Sequence, residues 1–283
     1  MFDSITVLAP GLLGASVAKA ARSRGVARHI RVWSRRVETR TELRNVAWCD
    51  AVLDTPAEAA RDSQLVVICA PVEHIVPLVE QIAPALADGS VVTDVGSVKS
   101  ALCRGSQGAL AGRRATFVGA HPMAGSERTG HAHADAELFR GRPCFVTPLP
   151  DAAPAAIDAV VRFWRALDAV VVTESPERHD EIVAHISHLP HVIASALCSL
   201  LAQRDPRWRD LAGPGLRDTT RIAASDSDLW RGIFEQNREE VLRAISAFED
   251  ELAALRAALA NDDMFAVRAI LERGRVYRSG LRC

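Results

Sequence analysis

A short apolar run, Ser4–Ala9, passes directly into Gly11-Leu12-Leu13-Gly14-Ala15-Ser16. Strand, tight turn and helix start, in that order, form the phosphate-binding opening of a dinucleotide fold. Gly11 lets the backbone come close to a pyrophosphate, and Gly14 lets the helix pack tightly on the strand. The helix N-terminus then turns free N–H groups toward the phosphates. The first glycine of the G-x-G-x-x-G pattern is replaced by Ala9, and Pro10 stiffens the turn. The competing reading is a simple tight turn. Gly11, Leu12, Leu13 and Gly14 are the first cofactor-facing candidates.

The alternation continues to about residue 174. His29–Trp33, Leu65–Ala70, Ser90–Asp94, Phe117–Ala120, Cys144–Thr147 and Ala169–Thr173 are short apolar or β-branched runs. Helix-compatible stretches such as Gly11–Arg24 and Val72–Leu86 lie among them. This order predicts βαβ units and a mostly parallel, doubly wound sheet covered on both faces, an α/β fold of Rossmann type. Cys69-Ala70-Pro71, where the Leu65–Ala70 strand ends, joins the cofactor-facing set. No strand-like run follows Glu174. Glu177–Leu201, Asp226–Ala258 and Asp262–Arg278 are helix-compatible, and Ile233, Val241, Ile245 and Phe248 form a helical stripe. The expected division is a dinucleotide-binding domain, 1–174, and an all-α domain, 175–283.

A length of 283 residues suits two domains. Net charge is −1, which gives no reason to expect nucleic acid or an anionic membrane as partner. No apolar run of membrane-spanning length and no secretion signal are expected. The six cysteines are sparse and form no C-x-x-C pair, as suits reduced thiols in a cytoplasmic protein.

In NAD sites the second strand ends in an acid that binds the ribose hydroxyls. Here His29–Trp33 ends in Ser34-Arg35-Arg36. A carboxylate would repel a 2′-phosphate, whereas a serine and two guanidinium forks would hold it. NADP is therefore expected over NAD. The alternative is that Arg35 and Arg36 only open a solvated helix.

Two loops follow later strands at ligand-facing ends: Asp94-Val95-Gly96-Ser97-Val98-Lys99 and Gly119-Ala120-His121-Pro122-Met123-Ala124-Gly125-Ser126-Glu127. His121, expected just beyond a strand, suits a proton acceptor at neutral pH, although a lone histidine is as readily structural. Further on lie His179-Asp180, Ser187-His188-Leu189-Pro190-His191, Arg217-Asp218-Thr219-Thr220-Arg221-Ile222-Ala223 and Asp228-Leu229-Trp230. The histidine spacing breaks at Pro190 and no carboxylate or thiol joins it, so no metal is expected.

These motifs together resemble the prephenate/arogenate dehydrogenase family over nearly the whole chain. The resemblance implies oxidative decarboxylation of a cyclohexadienol in tyrosine biosynthesis, with prephenate favoured and some arogenate activity allowed. It implies His121 as the proton acceptor for the ring hydroxyl and Ser97 as the group that orients that hydroxyl. Arg221 would bind the ring carboxylate. Ser126, Glu127, His188 and His191 would line the side-chain end or the ring, and Trp230 and Asp218 would shape the pocket. It also implies a homodimer formed through the helical domain. No appended regulatory or mutase domain is expected.

Three alternatives remain. Two-domain dehydrogenases of the β-hydroxyacid type use a lysine at the start of the helical domain, and no lysine follows Lys99 here. An arogenate-specific dehydrogenase would offer a carboxylate to the substrate ammonium, and Glu127 is one candidate. A non-catalytic NADP-binding sensor would need the nucleotide loop but not His121 with Arg221.

Overall fold

A computed structural model describes residues 1–125 and 128–281. The first half runs β1 (Phe2–Leu8), α1 (Leu12–Ser23), β2 (Ala27–Trp33), α2 (Val37–Leu43), β3 (Ala51–Val52), α3 (Pro56–Ala60), β4 (Leu65–Ile68), α4 (Val72–Ile82), β5 (Val91–Asp94), α5 (Ser100–Ala109) and β6 (Thr116–Phe117). The six strands form one parallel sheet in the order β3-β2-β1-β4-β5-β6. Along β4, Leu65 and Val67 enter one core, and Val66 and Ile68 the other. That is how a continuous apolar run behaves when helices cover both sheet faces. The chain order reverses between β1 and β4, and doubly wound sheets take their ligands at such a switch point.

The late strands do not extend this sheet. Phe117–Ala120 divides at Val118: β6 closes the first sheet, and β7 (Gly119–Pro122) opens a second with β8 (Pro143–Thr147) and β9 (Val170–Thr173). In it β7 and β8 pair antiparallel and β8 and β9 parallel, with α6 (Pro154–Ala166) between the latter two. His121 therefore lies inside β7, opposite Phe145, and not beyond a strand end. Pairing partners from distant segments decide such a division, and a single strand's composition does not reveal them.

The second half comprises α7 (Pro176–Val183), α8 (Leu189–Ala202), α9 (Pro214–Thr220), α10 (Ser227–Gln236), α11 (Arg238–Ala260) and α12 (Met264–Gly280). Asp226–Ala258 is not one helix: it breaks at Asn237, so Ile233 does not share a helix with Val241 and Ile245. A π-helical turn, Ala184–His188, links α7 to α8. Pro190 falls in the first turn of α8, where a missing N–H is tolerated. The resulting segment, Pro176–Ala202, is long and apolar enough to cross a membrane by length and composition only. Its His179, Asp180, His188 and His191 are all buried within the fold.

Candidate active site

The nucleotide loop is built by close contacts. Ala9 adopts φ 60°, a left-handed conformation that glycine takes more readily than alanine. For an alanine this costs roughly 1–2 kcal/mol. Gly11 N–H donates to the Ala9 carbonyl at 2.8 Å, closing the turn. A Cβ on Gly14 would lie 3.0 Å from the Ala9 oxygen, 3.0 Å from Cys69 Cβ and 3.2 Å from Val7 Cγ1, so any side chain here would push against the turn and two strands, and glycine relieves that crowding. A Cβ on Gly11 would meet nothing within 4 Å. The first turn of α1, with Leu12 and Leu13, has no side-chain cap and no acidic residue. An open glycine beside uncapped N–H groups fits a dinucleotide pyrophosphate. Cys69, Ala70 and Pro71 follow β4, the strand next to β1.

Ser34 is buried, whereas Arg35 and Arg36 are exposed at the end of β2. Arg40 braces them from behind: its Nη1 donates to the Ser34 carbonyl at 2.8 Å and to the Arg35 carbonyl at 3.2 Å. Sequence reading missed Arg40, because its role is to hold backbone.

The loop carrying Ser97 is wrapped around a buried ion pair. Lys99 Nζ lies 2.6 Å from Asp94 Oδ2, with both side chains fully buried. The same carboxylate accepts Gly96 N–H at 2.7 Å and Ala120 N–H at 3.1 Å, tying the loop to β7. Such a pair must be fully hydrogen-bonded to offset its desolvation. Ser97 stands half-buried between these anchors.

His121 Nδ1 lies 2.9 Å from His179 Nε2, and His179 Nδ1 lies 2.8 Å from Asp180 Oδ1. Asp180 also accepts the N–H groups of Lys99 and Ser100, each at 2.8 Å, and so caps α5. Burial would raise the Asp180 carboxyl, but the His179 and Ser100 hydrogen bonds outweigh it and hold it below the ordinary carboxylate value. Burial, then His179 and Lys99 nearby, push His121 well below the usual imidazole value, and burial also lowers His179. The tautomers follow. An ionised carboxylate only accepts, so neutral His179 carries its proton on Nδ1 and accepts at Nε2. His121 must then donate from Nδ1, which leaves its Nε2 lone pair as a proton acceptor.

His191 stacks on Trp230 with ring centroids 3.6 Å apart and planes 8° apart. Both line an open cavity of about 530 Å³ with Ser195, Phe234 and Arg238. His188, buried, meets Trp230 edge-on at 6.0 Å. Arg221 opens a 3-10 turn packed against α8. Arg221 and Asp218 are exposed, and neither side chain makes a hydrogen bond or ion pair among the described residues, so they are not drawn into the buried histidine cluster. Ser126 and Glu127 lie outside the described residues.

The chain matches the prephenate dehydrogenase nucleotide-binding domain over residues 17–173 and the prephenate dehydrogenase dimerization domain over residues 175–273. It is 32% identical to cyclohexadienyl dehydrogenase of Zymomonas mobilis over 268 residues, covering 93% of this chain and 90% of the relative. Prephenate dehydrogenase from A. aeolicus, solved with hydroxyphenyl propionate and NAD+, superposes with a TM-score of 0.92 at 29% identity, covering 99% and 98% of the two chains. Synechocystis arogenate dehydrogenase superposes with a TM-score of 0.85 at 26% identity, covering 98% and 99%. With both family domains matched in order along nearly its whole length and a nucleotide-binding loop opening its parallel sheet, this chain belongs to the prephenate dehydrogenase family, oxidoreductases of tyrosine biosynthesis.

Proposed function

We propose that the chain catalyses NADP-dependent oxidative decarboxylation of prephenate to 4-hydroxyphenylpyruvate, with slower use of arogenate. When bound, the nicotinamide supplies the hydride acceptor. His121 takes the ring-hydroxyl proton at Nε2, and Ser97 orients that hydroxyl. Arg221 holds the ring carboxylate, which leaves as carbon dioxide as the ring becomes aromatic. Ser126, Glu127, His188 and His191 line the ring and the side-chain end, while Trp230 and Asp218 shape the pocket. The observation that carries this reading is the commitment of His121 Nδ1 to His179, which frees Nε2 as a base.

Ser34, Arg35 and Arg36 support NADP, since two exposed guanidiniums and no acid end β2. The helical domain supports a homodimer: Leu242, Leu252, Leu259, Phe265, Leu271 and Tyr277 leave large apolar side chains exposed on α11 and α12. Domain limits of 1–174 and 175–283 fit the change from sheet to helix after β9.

The test is to mix the protein with NADP and prephenate and follow the reduced nicotinamide. Formation of NADPH with 4-hydroxyphenylpyruvate supports the reading. No reduction with prephenate or arogenate, using either nucleotide, overturns it.

A further inference from the structure

Asn237 marks the break between α10 and α11 and is buried. Its Nδ2 donates to the Asp180 backbone carbonyl at 2.9 Å. A carbonyl can only accept, so the amide orientation is fixed with its NH2 on this side. The same Nδ2 lies 3.2 Å from His188 Nδ1. The second amide hydrogen is thus presented to that ring nitrogen, which must accept it.

Burial holds His188 down at about 4, so the ring is neutral at physiological pH. A neutral imidazole that accepts at Nδ1 carries its one proton on Nε2. His188 Nε2 is buried and has no partner among the described residues. A buried donor left without an acceptor is destabilising, and a ligand acceptor would satisfy it. The ring sits beside the site groups, edge-on to Trp230, on which His191 stacks.

We propose that Asn237 is a positioning residue that locks His188 as a neutral Nε2–H donor, which selects a ligand presenting an unprotonated oxygen there, a carboxylate or ketone, over one presenting an ammonium. The inference rests on the substrate reading above and deepens it. Asp180 thereby sets opposite roles at two histidines. Its carboxylate, through His179, makes His121 an acceptor; its carbonyl, through Asn237, makes His188 a donor.

The test is a long-range ¹H–¹⁵N imidazole spectrum of the full-length protein near neutral pH, with and without 4-hydroxyphenylpyruvate. The expected result is a His188 Nε2–H tautomer whose Nε2 proton moves downfield when this anion binds. Asn237→Ala should give mixed tautomers and raise the prephenate KM at least tenfold. Its kcat should change less than threefold, and its NADP affinity should hold. An Nδ1–H tautomer in the wild type overturns the proposal. So does an unchanged KM in an Asn237→Ala protein whose tautomer has shifted. If that variant does not fold, the wild-type tautomer and its response to the anion decide alone. Wild-type turnover of prephenate is measured first, so failure of the substrate reading shows separately from failure of the tautomer lock.

Discussion

His179 Nε2 stands 2.9 Å from His121 Nδ1, joining residues 58 apart in sequence, and His179 is in turn held by its own neighbour Asp180. The three side chains form a line from an ionised carboxylate to a bare ring nitrogen. The carboxylate fixes which nitrogen of His121 can take a proton, as an orienting acid does for a catalytic histidine elsewhere.

Asp180→Asn leaves the shape but turns an acceptor into a mixed donor and acceptor. It should lower kcat by roughly 10²–10⁴-fold. His121→Asn should lose a similar factor while still binding nucleotide. Steady-state kinetics with nucleotide titration check both. Full turnover in either variant removes that residue from the proton path.

Several histidines are held neutral by burial, which makes stability depend on pH. The unfolded chain takes up a proton on each near pH 6.5. Folded His188 does so only at about 4. Stability should be full above pH 6.5 and fall as pH drops toward 4, because the unfolded state binds protons that the folded state refuses. His188 alone contributes on the order of 3 kcal/mol to this loss. Urea midpoints across that range measure it, and His188→Leu should flatten the slope.

Arg35→Ala with Arg36→Ala should cost NADP at least tenfold in kcat/KM and leave NAD within about threefold, since each charged hydrogen bond contributes about 1.5–3 kcal/mol. Nucleotide kinetics at saturating prephenate check this. Equal losses for both nucleotides would place the arginines away from the 2′-phosphate.

Arg221→Ala should raise the prephenate KM about 10–100-fold by removing a charged clamp on a carboxylate. A fall in kcat with KM intact would contradict that role.

The sequence made local features legible. The Ser4–Ala9 run, Gly11 and Gly14 sit within one strand–turn–helix unit, so their spacing carries the geometry. Ala9 stands at the first glycine position of the pattern and takes a positive φ there. Non-local features were not legible. Nothing in the run Phe117–Ala120 says that its two halves pair with different sheets. His179-Asp180 stood out as a pair, but its contact with His121 depends on how α7 packs on β8 and α5. Asn237 carries no motif at all. It matters because a helix break and the Asp180 carbonyl meet there.

The most direct measurement is kcat/KM of the wild-type protein for prephenate and arogenate, each with NADP and with NAD, in one buffer. Prephenate with NADP should give the highest value. An arogenate value more than about tenfold higher, about 1.4 kcal/mol of transition-state discrimination, or equal or better efficiency with NAD, would contradict it.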